Sequence, residues 1–136
     1  MRRPMSQPAR LATQMTMDLI DLAGTRAVAW PADAPPLSSG RDAGDLIGAA
    51  FSHQARLVVL PVAHLSPEFL RLSSGLAGEV LQTFVNYGLR VAIVGDIAGP
   101  LAASAPLGDF VRESNRGSQV WFADDLDALA RRLSGA

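Results

Sequence analysis

The chain has 136 residues, of which 49% are hydrophobic and 18% charged, and it carries a formal net charge of −1 at pH 7. Such a composition suits one domain with a proper core and excludes disorder throughout, while near-neutrality gives no basis for nucleic-acid or anionic-membrane partners. The absence of cysteine removes disulfides, thiolate metal sites, iron–sulfur clusters and a cysteine nucleophile.

All twelve cationic side chains are arginine, a bias expected of a GC-rich bacterial genome. Without lysine there is no Schiff base, no P-loop lysine and no lysine general base. The opening MRRPMSQPAR has the charge of a signal peptide's start, yet no apolar stretch follows before Thr13 and Gln14. The apolar run LVVLPVA falls far short of the ~20 residues that cross a bilayer. A cytoplasmic protein is therefore expected.

Residues 1–14 lack periodicity and are expected to be a disordered tail, with a single domain over 15–136. From Met15, alternation through Met17 and Leu19 predicts a strand. Ala23-Gly24 supplies a turn and TRAVAW, Thr25 to Trp30, a second strand, so the pair reads as an antiparallel hairpin. Pro31, Pro35 and Pro36 stop the pairing. Ser38 or Ser39 can cap a helix running to about Gln54, with Leu46, Ile47, Ala50 and Phe51 as its apolar stripe and His53 near its end.

Leu57–Val62, Val91–Val94 and Val120–Ala123 are short, continuously apolar runs, which suit strands buried on both faces of a parallel sheet. Helices are predicted after each: Gly75–Tyr87, Pro106–Arg116 closed by Gly117, and Leu126–Leu133 capped by Asp124 or Asp125. The fold class is thus α/β. A mostly parallel sheet of about five strands begins with an antiparallel hairpin and carries about four helices.

The helix GLAGEVLQTFVNY places Leu76, Val80, Leu81, Phe84 and Tyr87 on one face, and Glu79, Gln82, Thr83 and Asn86 on the other. A solvated polar face would serve; so would a ladder of donors and acceptors aimed at a partner. Gly75 and Gly78 cost helix propensity, and close packing of the backbone is the expected reason. Ser73 or Ser74 can cap this helix, and a phosphate on Ser74 would sit at its positive end. Ligands of parallel sheets gather at the strand carboxyl ends, where His64, Ser74, Asp96, Asp124 and Asp125 fall. Asp96, after Gly95, is also placed for an Asx-type bond. Metal-ligand spacings, a GxSxG elbow and both glycine-rich phosphate motifs are absent from the sequence.

The run LSPEFLRLSSGLAGEVLQTFVNYGLRVAIVGDI with DFVRESNRGSQVWF, spanning Leu65 to Phe122, resembles an uncharacterised bacterial family, domain of unknown function 4180. That resemblance implies no activity. The element order also resembles the STAS domain of anti-sigma factor antagonists, whose loop after the central strand reads Asp-Ser-Ser-Gly-Leu. Ser73-Ser74-Gly75-Leu76 matches four of those positions, with Leu72 in place of the acidic residue. What this similarity implies is a STAS-like fold with Ser74 as the residue a partner kinase would phosphorylate.

Three functions follow as expectations. One is a non-enzymatic interaction or regulatory module; another is a small-molecule binder or acid–base enzyme of isomerase or cyclase type, with Glu79, Asp96 and His64 as proton carriers. The third is a self-associating homodimer module. Candidate interaction residues are Ser74, Glu79, Gln82, Asn86, Asp96, Glu113 and Asn115, with Ser74 as the possible phosphosite. No catalytic residue, metal site or cofactor is assigned. The expected partner is a protein or a second copy, with a small molecule possible.

Overall fold

The computed structural model describes residues 17–135, so the tail expected over 1–14 lies outside the described residues. Strand β1 (Asp18–Leu22) turns through Ala23 and Gly24, both at positive φ, into β2 (Thr25–Ala29). The pair is antiparallel, Leu22 opposite Thr25 and Asp18 opposite Ala29. Helix α1 (Gly40–Ser52), β3 (Leu57–Pro61), α2 (Leu76–Asn86), β4 (Arg90–Val94), α3 (Ala98–Ala103), α4 (Ala105–Arg116), β5 (Val120–Ala123) and α5 (Leu126–Gly135) follow. Between β3 and α2 the chain makes three 3-10 turns, at Val62–His64, Pro67–Leu70 and Leu72–Ser74.

The strands lie in the order β1-β2-β3-β4-β5, with β2 to β5 parallel. Each crossover steps one strand in the same direction, and crossovers of one hand then put their helices on one face. The side chains agree. Val28, Val58, Leu60, Val91 and Ile93 pack with Leu46 and Ala50 of α1 and Val80 and Phe84 of α2. The alternate residues, Ala27, Ala29, Leu57, Val59, Ala92 and Trp121, point the other way and meet Leu129 of α5. Burial on both faces is what the continuous apolar runs require.

The architecture is the expected α/β sheet with its hairpin, with five helices among the described residues where about four are expected. The extra one is α3, whose six residues AGPLAA are too short to show a period and contain a proline. Phe51 and Tyr87, expected on apolar stripes, are 56% and 57% exposed. Phe51 is in the last turn of α1 and Tyr87 is the C-cap of α2, and the two rings meet edge to face at 6.3 Å. Close packing is the expected reason for Gly75 and Gly78, yet a Cβ at either would meet nothing within 4 Å. The helix glycine under pressure is Gly40, in α1.

Candidate functional site

Helix starts and strand carboxyl ends share one edge of this sheet, and the site is built there. Leu37 bridges to Leu65 beyond the strands: its N–H donates to the His64 carbonyl at 2.9 Å, and the Ser66 N–H donates to the Leu37 carbonyl at 2.9 Å. That bridge sets Ser38 beside the turns after β3. Ser39 then caps α1, accepting from the Asp42 N–H at 3.3 Å, while Asp42 accepts in return from the Ser38 N–H at 2.8 Å. Such reciprocal capping fixes the helix start.

The last 3-10 turn ends on Gly75, the N-cap of α2, at φ 80° and ψ −7°. Glycine adopts this left-handed conformation without steric cost. Ser74 immediately before it is exposed, and its hydroxyl donates to the Glu68 carbonyl at 2.8 Å and accepts from the Leu76 N–H at 3.2 Å. The serine therefore ties the turn to the preceding 3-10 segment as well as to the helix.

Two open clefts flank this turn. On one side Ser38, Glu68, Ser74, Gly75, Leu76 and Glu79 line a space of about 390 Å³. Glu79 reaches from the first turn of α2 to the position a Cβ on Gly40 would take. Its carboxylate thus stands at the start of α1 and near the start of its own helix, where the helix dipoles favour negative charge. On the other side Pro67, Leu70, Leu72, Pro100, Ala103 and Pro106 wall a mainly apolar cleft of about 480 Å³. Arg71, Ser73 and Ser104 complete it. Ser74 and Ser73 are the divide between them.

Of the predicted residues, Ser74 and Glu79 come together in the first cleft, with Glu68 and Ser38 as partners that sequence reasoning missed. Proximity of residues 38 and 68 to residue 79 depends on the Leu37–Leu65 bridge, which leaves no local signal. Gln82 and Asn86 lie further along α2, exposed, the Gln82 amide donating to the Asn86 side-chain oxygen at 2.9 Å. Thr83 spends its hydroxyl on the Glu79 carbonyl at 2.8 Å. Asp96 accepts from the Ala98 N–H at 2.9 Å, closing an Asx-type turn at the start of α3. His64 holds Nδ1 3.0 Å from the Trp30 carbonyl oxygen. Asp125, of the two aspartates offered as a cap, accepts from the Ala128 N–H at 2.7 Å.

Glu113 and Asn115 lie on α4, far along the chain from Ser74. Glu113 pairs with Arg116 at 3.0 Å, both exposed. Asn115 joins three elements: its side-chain oxygen accepts from the Phe122 N–H of β5 at 2.8 Å and from Arg132 of α5 at 3.3 Å. Its carbonyl accepts a further bond from Arg132. The Arg132 guanidinium lies 4.0 Å from the centre of the Trp121 ring, and Arg90 lies 4.6 Å from it.

Among the described residues no group of three histidine, aspartate or glutamate side chains could hold a metal ion, and no helix is long and apolar enough to cross a membrane. No curated protein and no solved structure matches the chain. A family model described as domain of unknown function (DUF4180) matches residues 22–133, which is most of the chain and extends the resemblance from Leu65–Phe122 to the hairpin turn, β2, α1 and much of α5. The chain belongs to the family of domain of unknown function 4180.

Proposed function

We propose that this chain is a small non-enzymatic interaction or regulatory module of the bacterial cytoplasm, making contact through the Ser74 turn and the Glu79–Gln82–Asn86 face of α2. The observation that carries the reading is the state of the Ser74 hydroxyl. It is exposed on a ridge between two open clefts, and it holds the ridge by one donated and one accepted hydrogen bond.

A phosphoryl group on that oxygen removes the proton donated to the Glu68 carbonyl. It also sets a charge of about −2 in a cleft already lined by Glu68 and Glu79. Like charges in that space repel, so modification would loosen the turn from the 3-10 segment and change the ridge a partner meets. The position of Ser74, between the central strand β3 and the helix that follows, supports the STAS-like part of this reading.

The test is capture of partners from the protein's own host by tagged wild type, Ser74→Ala and Ser74→Asp, with the mass of the purified protein recorded. A switch predicts that Ser74→Asp recovers at least several-fold more or less partner than Ser74→Ala. Equal recovery by the two variants would remove it.

A second reading, binding of a small molecule, is favoured by the apolar cleft under Leu70, Pro100 and Pro106. Its size falls in the ~300–1,000 Å³ range of ligand pockets. None of Glu79, Asp96 and His64 lines this cleft, Glu79 standing in the other one, so this reading rests on binding rather than proton transfer.

A further inference from the structure

We propose that copies of this chain associate head to tail, the carboxylate-bearing edge of one molecule seated on the arginine-bearing edge of the next. The starting point is the parallel topology. Helices α1, α2, α4 and α5 all begin at the carboxyl ends of the strands and run back toward the amino ends. Acidic residues are favoured at helix starts and cationic ones at helix ends. In parallel helices those local preferences add instead of cancelling.

The charges follow that rule across the described residues. All thirteen carboxylates lie within the described residues, and eleven of them are in the half that holds the strand carboxyl ends; Asp21 and Glu113 are the exceptions. Arg41 and Arg71 share that half, leaving nine net negative charges. The opposite half has seven arginines, among them Arg26, Arg56, Arg90 and Arg116, against two carboxylates, which leaves five net positive charges.

Two corrections leave the polarity standing. Four helix starts contribute about +0.5 each, or about +2 at the acidic edge. Counting Arg2, Arg3 and Arg10, which lie outside the described residues, against that edge still leaves six net negative side-chain charges. With a net charge of only −1, copies do not repel one another as whole ions, so the arrangement of charge decides how they meet.

The basic edge also has a receiving shape. Arg56, Arg90, Thr25, Ser118 and Gln119 line a cleft of about 370 Å³ there. Arg90 is held in place: its Nε donates to the Ser118 carbonyl at 2.9 Å and its guanidinium lies 4.6 Å from the Trp121 ring centre. Its two terminal nitrogens can then take one carboxylate in paired fashion. Both ion pairs among the described residues are on α4, so among those residues neither the Arg56–Arg90 cleft nor the Glu68–Glu79 cleft holds a matching charge. The two surfaces differ, so the contact is heterologous and leaves an open pole at each end of any pair. This sets it apart from a symmetric dimer through the α2 ladder.

Sedimentation velocity on the full chain tests the proposal. At low salt the wild type should show mass growing with concentration beyond a dimer, reverting to monomer at roughly 0.3 M salt as the charges are screened. Glu68→Arg/Glu79→Arg, which blocks the acidic pole, should stay monomeric. Asp21→Arg/Glu113→Arg changes the net charge equally but enriches the basic pole, and it should associate at least as well as the wild type. Circular dichroism checks that each variant is folded; should the arginine pair fail, Glu68→Gln/Glu79→Gln carries the same test at smaller amplitude. A wild type monomeric at low salt, equal behaviour of the two charge variants, or growth that stops at a dimer would each overturn the proposal.

Discussion

The carboxylate of Glu79, on α2, occupies the space that a side chain at Gly40, on α1, would need. Two helix starts are thereby joined through one flexible acid. Gly40→Ala should separate that contact from stability. Alanine restores up to about 1 kcal/mol of helix propensity, and the displaced group is the free end of a long side chain that can swing away. The melting temperature should therefore hold within a few degrees while partner recovery falls to the level of Glu79→Gln. A large loss of thermal stability would mean that the carboxylate is fixed in place.

The ends of α1 and α2 offer a paired comparison. Both close with the same two bonds, Ala55 N–H to Ala50 and Gln54 N–H to Phe51 in α1, Leu89 N–H to Phe84 and Gly88 N–H to Val85 in α2. The residue at positive φ is Gly88 in one, at 75°, and Gln54 in the other, at 58°. A side chain in that conformation costs roughly 1–2 kcal/mol. Denaturant titration should show Gln54→Gly stabilising by about 1 kcal/mol and Gly88→Ala destabilising by a similar amount. Opposite signs are the expectation; matching signs would refute it.

Ser74→Ala removes two hydrogen bonds at an exposed site. Each such bond contributes about 0.5–1.5 kcal/mol net, and water can replace both, so the loss should stay near 1 kcal/mol. Hydrogen exchange is the sharper readout. Protection should fall at Leu76 and in the turns between Pro67 and Ser74, with the strands unaffected.

Asn115→Ala should cost more, about 2–3 kcal/mol, because it leaves the Phe122 N–H and part of Arg132 without partners in a half-buried place. Urea unfolding would register it. A loss below about 0.5 kcal/mol would show that water substitutes there too.

Much of the fold was readable because its signals are local. Short, β-branched apolar runs such as Leu57–Leu60 suit strands covered on both sides, and Ser39 sits three residues before the acid that reciprocates its cap. Half of the site was readable for the same reason: Ser74 precedes a glycine that opens an amphipathic helix. Glu68 and Ser38 were not, since they arrive beside Glu79 only through the Leu37–Leu65 bridge between distant segments. Asn115 shows the opposite limit. A polar residue near a helix end looks like surface, and only the third dimension reveals that β5 and α5 both lean on it.

Helix α5 covers a sheet face that, among the described residues, no other helix shares. Among the described residues it is also the last element in chain order. During synthesis Ala27, Ala29, Leu57, Val59 and Ala92 are in place before the residues that shield them have left the ribosome. Until then the nascent chain presents a flat apolar sheet face, a surface of the kind that invites aggregation or a chaperone. Covering of that face is thus tied to release of the ten-residue helix α5, whose Leu129, Ala130 and Leu133 pack against it.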